Sequence, residues 1–132
     1  MPKTLLTLTL GLLLAGCGAD PDHAWHLQQP SDKGTYQATL SCASAPIPGA
    51  FQECKLILQS SQALPTNLLV AVDGGMPTHG HGLPTAPQAI PTDTHGTYRI
   101  DGLKFSMPGE WVLGFLLDNG TQPEKVVFRF SL

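Results

Sequence analysis

Hydrophobic and polar residues alternate in five short segments, and this period of two predicts β-strands with one buried face. The first segment follows Gly34, and the most hydrophobic one begins at Glu110. The alternating hydrophobic positions are Tyr36, Ala38, Leu40 and Cys42; Cys54, Leu56 and Leu58; Leu103, Phe105 and Met107; Trp111, Leu113, Phe115 and Leu117; and Val126, Phe128, Phe130 and Leu132. We expect these side chains to point inward.

Two further segments extend this pattern. Residues 67–72 are almost continuously hydrophobic, which favours a central strand covered on both faces. Residues 95–100 form a short strand that Asp101-Gly102, a strong turn signal, joins to residues 103–107. Prolines recur through residues 83–94, so we expect at most an edge segment there.

The chain after residue 17 contains no helical period, and turn residues separate about seven predicted strands. This pattern predicts an all-β fold, an antiparallel β-sandwich of immunoglobulin-like size, at residues 34–132. A chain of 132 residues accommodates one such domain and hardly a second core.

The amino terminus has the layout of an export signal. Lys3 precedes a hydrophobic run that is too short to span a bilayer, and the run ends in Leu14-Ala15-Gly16-Cys17. These four residues resemble a bacterial lipobox, which implies a signal peptide at residues 1–16 and acylation, including palmitate, at Cys17. The alternative is an ordinary signal peptide whose cleavage site contains a cysteine. Several acyl chains would hold the protein stably on a membrane.

Residues 17–33 are predicted to be the lipidated cysteine and a tether, because they are polar and contain two prolines. A histidine pair, His23 and His26, lies in this segment, and we interpret it as solvated. Gly18 follows the acylated position, and by resemblance to Gram-negative lipoproteins this favours the outer membrane. We therefore expect a bacterial cell-envelope protein that is lipid-anchored and faces the periplasm.

Two cysteines, Cys42 and Cys54, remain in the exported chain, where oxidising surroundings allow disulfides to persist. Both occupy inward positions of their predicted strands, so we predict that they bridge. The alternative is a pair of free thiols that contribute to a metal site.

Charge and motifs exclude several function classes. The net charge is -3 with neutral histidines, and the few basic residues are scattered, so nucleic acid is a poor candidate partner. No nucleophile elbow, phosphate-binding loop or His-Glu-x-x-His helix is present. We therefore expect that the protein is not an enzyme.

Candidate chemistry is concentrated in residues 73–84, where glycine and proline are so frequent that we predict a shaped loop and no ladder strand. His79 and His81 are two residues apart and would point to the same side of a locally extended chain. Imidazole together with thioether sulfur favours copper, especially Cu(I). The candidate ligands are Met76, His79, His81 and Met107, with His95 as a further possibility. Each residue alone also has a structural explanation, as core filler or as a turn residue.

Two ordered motifs carry a family resemblance. The first is Gly75-Met76-Pro77-x-His79-Gly80-His81-Gly82-Leu83-Pro84-Thr85-x-Pro87, and the second is Gly96-x-Tyr98 followed by Phe105-x-Met107-x-Gly109-x-Trp111-x-Leu113. Over about residues 66–132 this pattern is similar to the YtkA-like and FixH-like envelope domains. The resemblance implies an immunoglobulin-like β domain linked to copper handling or to haem-copper oxidase assembly. By position it makes the same two histidines and two methionines the candidate ligands.

These observations lead to two functional hypotheses. The first is a membrane-anchored lipoprotein that binds copper as a carrier or as a tolerance or oxidase-assembly factor, together with copper-handling partner proteins. The second is a module without metal, in which the loop forms part of a groove for a small organic ligand or a partner protein.

Overall fold

The computed structural model describes residues 25–132, so the predicted signal peptide, Cys17 and His23 lie outside the described residues. Nine strands form within this range: β1 Trp25–Pro30, β2 Gln37–Cys42, β3 Cys54–Gln59, β4 Leu69–Met76, β5 His81–Gly82, β6 Gln88–Pro91, β7 Thr97–Asp101, β8 Glu110–Asp118 and β9 Glu124–Ser131. None of residues 25–132 belongs to a helix that could cross a membrane.

The strands form two antiparallel sheets. One sheet has the order β1-β2-β3-β7-β6, and the other has the order β5-β4-β8-β9. Their facing side chains share one hydrophobic core. The predicted all-β sandwich is therefore confirmed, with nine strands in the described region where about seven were expected. The short edge strand β6 agrees with the predicted edge segment. Immunoglobulin-like connectivity stays a prediction.

Alternation placed most of the core correctly, but the inward position predicted for Met107 is wrong. Met107 is 36% exposed, because residues 103–107 form no strand and the alternation does not continue beyond Phe105. Strand β8 lies between β4 and β9, and its inward side chains are almost wholly inaccessible to solvent, as are Val126 and Phe128 of β9. The most completely buried large side chains include Trp111, Leu113, Phe115, Leu117 and Phe128. Burying each of these leucine and phenylalanine side chains contributes about 1.5–3 kcal/mol.

The Cys42–Cys54 disulfide is present, so that prediction is confirmed and the free-thiol alternative is excluded. The two cysteines are directly opposite each other in the β2–β3 ladder. Both are buried among the core residues. The bridge closes the loop of residues 43–53 at its base.

The predicted tether is wrong for its described part. Trp25–Pro30 forms β1, the edge strand of the larger sheet, paired with β2. Trp25 packs edge-on against Phe130 with ring centroids 5.5 Å apart. The strand was missed because only Trp25 and Leu27 supply its apolar alternation. Pro30 is compatible with it because an edge strand need not donate every backbone hydrogen bond.

Two other predicted strands differ from the structure. Residues 103–107 form no strand, because Leu103 and Phe105 give their carbonyl oxygens to backbone amides of the 43–53 loop. Their side chains are nevertheless buried in the core. Strand β4 is not covered on both faces. Leu69 is 70% exposed, since a two-layer sandwich covers only one face of each sheet.

A polar clamp joins the two sheets at one edge. The Ser31 hydroxyl donates to the buried Glu124 carboxylate at 2.6 Å. Asp32 and Lys125 form two further hydrogen bonds: the Asp32 amide donates to the Lys125 carbonyl, and the Lys125 amide donates to the Asp32 carboxylate. Burial raises the pKa of Glu124, but hydrogen bonds from Ser31 and Thr35 outweigh it and the net pKa is lowered.

One end of the sandwich collects the features that matter for function, and we call it the entry end because the described chain begins there. Trp25 is opposite Cys42 in the ladder, and it packs on Phe130, which is opposite Trp111 in β8. The Trp111 ring in turn contacts His81. The 43–53 loop and the β4–β5 connection are therefore at the same end as the chain entry.

Candidate functional site

The histidine-rich stretch is a β-hairpin, so the prediction of a loop without ladder strands is wrong. Strand β4 continues through Gly74 and Gly75 to Met76, and β5 returns at His81–Gly82. The glycines do not break the strand. A Cβ at Gly75 would lie 2.4 Å from the His81 carbonyl oxygen, so glycine allows β5 to approach this closely.

The hairpin turn is tight and well bonded. The Met76 carbonyl oxygen accepts hydrogen bonds from the amides of His79 and Gly80, both at 3.0 Å. Gly80 has a φ of 68°, a left-handed conformation that costs glycine little. The turn holds His79 at its tip and returns the chain so that His81 is directly opposite Met76.

The two imidazoles come together at this tip. Their ring centroids are 5.9 Å apart, and both side chains are exposed. Two imidazoles on one ion have centroids no more than roughly 6 Å apart, because each nitrogen lies about 2 Å from the metal. The observed separation is close to that limit. His79 and His81 could therefore share an ion if their side chains turned one nitrogen each toward it.

His81 is oriented by two contacts. Its Nδ1 lies 3.0 Å from the Gly82 carbonyl oxygen, which can only accept, so in the neutral ring Nδ1 carries the proton. Nε2 then keeps its lone pair. The ring also packs edge-on against Trp111, with centroids 6.0 Å apart. A backbone carbonyl on one nitrogen is the usual arrangement for a metal-binding histidine that coordinates through the other.

The two methionines occupy different environments. Met76 points to the same face as its partner His81 and is fully buried. A Cβ added at Gly109 would be 2.6 Å from the Met76 methyl carbon, so that methyl packs directly on the Gly109 backbone. Met107 is 36% exposed, and its carbonyl oxygen accepts a 3.0 Å bond from the Trp111 indole. The residue 107–109 turn thus adjoins the hairpin through Gly109 and Trp111.

The other histidines lie elsewhere. His95 precedes β7 in the other sheet, at the end opposite the hairpin, with its Nε2 3.3 Å from the Leu64 carbonyl oxygen. His26 lies on β1. Across residues 25–132, no group of three or more His, Cys, Asp or Glu side chains could hold a metal. The candidate site therefore depends on two imidazoles and methionine sulfur.

Sequence reasoning missed two participants, Gly109 and Trp111. The sequence pattern predicts Trp111 only as a buried strand residue, although its ring contacts both His81 and Phe105. The same pattern predicts Gly109 only as a turn residue. The signal for both was their place in the second ordered motif, next to Met107.

Comparison with known proteins identifies the family but gives no individual relative. No curated protein and no solved structure matches the chain. The family model described as YtkA-like matches residues 35–114, which is more than half of the chain and includes β2 to β7, the hairpin and Trp111. The chain therefore belongs to the YtkA-like family.

Proposed function

We propose that this protein is an exported lipoprotein, cleaved after residue 16 and acylated on Cys17, which faces the periplasm and is carried preferentially by the outer membrane. The four residues Leu14-Ala15-Gly16-Cys17 at the end of the apolar run support this proposal. The Cys17→Ser variant should remain unprocessed or become soluble. Retention of this variant in alkaline-washed membranes, with the same mass as wild type, would contradict the anchor.

We propose that the domain binds one copper ion, as Cu(I), and serves as a copper carrier or as a tolerance or oxidase-assembly factor. The observation that carries the proposal is the hairpin tip, where the His79 and His81 ring centroids are 5.9 Å apart and the Gly82 carbonyl leaves His81 Nε2 open. Two neutral imidazoles suit copper, and thioether sulfur shifts the preference toward the reduced ion. Partner proteins would deliver copper to this exposed tip and take it up from there.

The two sulfurs have unequal roles in this proposal. Met107 is partly exposed and its carbonyl is bonded to the Trp111 ring that contacts His81, whereas Met76 is fully buried against Gly109. However, Met76 lines a shallow depression of about 310 Å³ together with His81. A small movement of its flexible side chain would bring sulfur to that surface. We therefore assign Met107 as the first sulfur ligand and Met76 as the second.

Metal analysis of protein isolated from the envelope tests the proposal, with one copper per chain as the expected result. The Met76→Leu/Met107→Leu variant separates the role of sulfur, because leucine preserves the apolar volume. It should lose more affinity for Cu(I) than for Cu(II). Equal losses of affinity for Cu(I) and Cu(II) would show that methionine sulfur does not bind the ion. Protons compete for imidazole, so binding should also weaken as the solution is acidified.

A second candidate function is a metal-free binding module, favoured by a groove of about 430 Å³ on the outer face of the smaller sheet. Gly114 leaves the groove floor open, and Leu116 and Val127 line it. If this groove binds an apolar ligand, an environment-sensitive hydrophobic dye should bind to wild type and not to Val127→Asp. Equal dye binding by the two proteins would show that the groove is not the ligand-binding site.

A further inference from the structure

The loop of residues 43–53 presents large apolar side chains to solvent at the entry end. Ile47 is 59% exposed and Phe51 is 67% exposed. Soluble surfaces tolerate scattered apolar residues, but these two lie on one short loop at one end of the domain. This apolar pair lies on a different segment from the histidine hairpin.

The loop holds these side chains in a fixed conformation. The disulfide between Cys42 and Cys54 closes its base. The Gln52 side chain donates to the carbonyl oxygens of Ile47 and Ala50, at 2.8 and 2.7 Å. The Gly49 amide also donates to the Phe105 carbonyl at 2.8 Å. Because the loop is cross-linked and braced, the exposure of its apolar side chains is a built feature of the fold.

A basic residue lies beside the apolar pair. The Lys104 ammonium is 5.4 Å from the centre of the Phe51 ring, and residues 51 and 104 are bridged through the backbone. An aromatic ring next to an ammonium group suits the boundary between acyl chains and lipid phosphates, where the ring enters the apolar layer and the charge stays in the headgroup region.

The length of chain before the domain indicates which end meets the lipid. Cys17 is eight residues before Trp25, so the intervening chain spans at most about 28 Å. The eight residues of β9 make the domain about 27 Å long. The anchor can thus easily bring the entry end to the bilayer. The opposite end, marked by Leu69, would reach the bilayer only if a nearly extended chain ran along the whole domain.

We propose that the 43–53 loop docks on the membrane surface, with Ile47 and Phe51 inserted among the lipids and Lys104 at the phosphate level. This inference rests on the proposed anchor at Cys17. The docked domain would be oriented with its entry end, and therefore the His79–His81 hairpin, toward the membrane. A partner protein on the same loop is the competing occupant, and the experiment below distinguishes the two.

The four isoleucines, Ile47, Ile57, Ile90 and Ile100, provide internal probes for this orientation. Full-length protein is purified from membranes with methyl-labelled isoleucine and placed in phosphatidylethanolamine–phosphatidylglycerol nanodiscs that contain a gadolinium-chelating lipid. The mass of its amino-terminal peptide is measured first. Docking predicts that the Ile47 methyl signal is broadened severalfold more than that of Ile57, which lies further along β3 from the entry end.

Phe51→Ser should reduce the broadening of Ile47 to near that of Ile57. Leu69→Ser is the matched control, because it makes the same kind of change at an equally exposed position at the opposite end, and it should leave the pattern unchanged. An amino-terminal peptide without acyl groups would overturn the anchor and the docking together. Acylated protein with equal broadening of Ile47 and Ile57 would overturn only the docking and would favour the partner protein.

Discussion

Removal of the Cys42–Cys54 disulfide should destabilise the domain by about 3 kcal/mol. The cysteines are 12 residues apart, and in the chain-entropy model a loop of that size stabilises the folded state by about this amount. For a domain of this size, a loss of 3 kcal/mol lowers Tm by roughly 10–20 °C. The disulfide joins directly opposite ladder residues in the core, so its reduction should leave the strand pairing intact.

Urea denaturation of the oxidised and reduced protein measures this difference without replacing any core side chain. Cys17→Ser is used as the background, because a third thiol would allow exchange with the bridge. Cys42→Ala/Cys54→Ala serves as a second comparison and should match the reduced protein or be somewhat less stable. Equal free energies of unfolding for the oxidised and reduced forms would refute the reasoning. A large change in the m-value would show that the denatured states differ, and the stability difference would then be attributed to the denatured states.

Three other perturbations have defined outcomes. Glu124→Gln should cost about 1.5–3 kcal/mol near neutral pH by urea denaturation, because a buried carboxylate loses its charge-assisted bonds to Ser31 and Thr35. The Glu124 pKa is lowered in the folded protein, so the stabilisation that the carboxylate provides is complete above the ordinary value of 4.5 and is lost as pH falls through the lowered value. The stability advantage of wild type over Glu124→Gln should therefore disappear in acid. Gly109→Ala should lower stability by about 1–3 kcal/mol in thermal or urea unfolding, since φ is 132° and a Cβ would meet the Met76 methyl. Copper binding should change the fluorescence of Trp111, because this ring contacts His81. A titration that leaves the emission unchanged would show that copper does not bind at the hairpin tip.

The sequence predicted those parts of the fold where alternation is long. Strands β8 and β9 and the β2–β3 pair have three or four inward residues each, so the period of two is unambiguous, and both cysteines fall on the inward face. Strand β1 has only two apolar residues, Trp25 and Leu27, and its pairing is determined by contacts with Phe130 and β2 that are distant in sequence. The local sequence pattern does not report these distant contacts, so it could not predict β1.

The candidate site was predicted in its residues more than in its geometry. Glycines at 74 and 75 suggested a loop, yet they permit close approach between β4 and β5. The opposition of Met76 and His81 depends on hairpin register, which the sequence did not specify. The contacts with Trp111 and Gly109 are tertiary. They arise because the turn before β8 packs at the same end as the hairpin, which no local pattern reports.

The most direct test of the copper proposal is a competition titration with a Cu(I) chelator on wild type, His79→Ala/His81→Ala and His95→Ala. His95 is an exposed histidine distant from the hairpin, so its replacement controls for the loss of an imidazole as such. Wild type and His95→Ala should bind one Cu(I) with equal affinity. The double variant should bind at least about tenfold more weakly, a loss of about 1.4 kcal/mol or more. An unchanged Cu(I) affinity in the folded double variant would contradict the proposal.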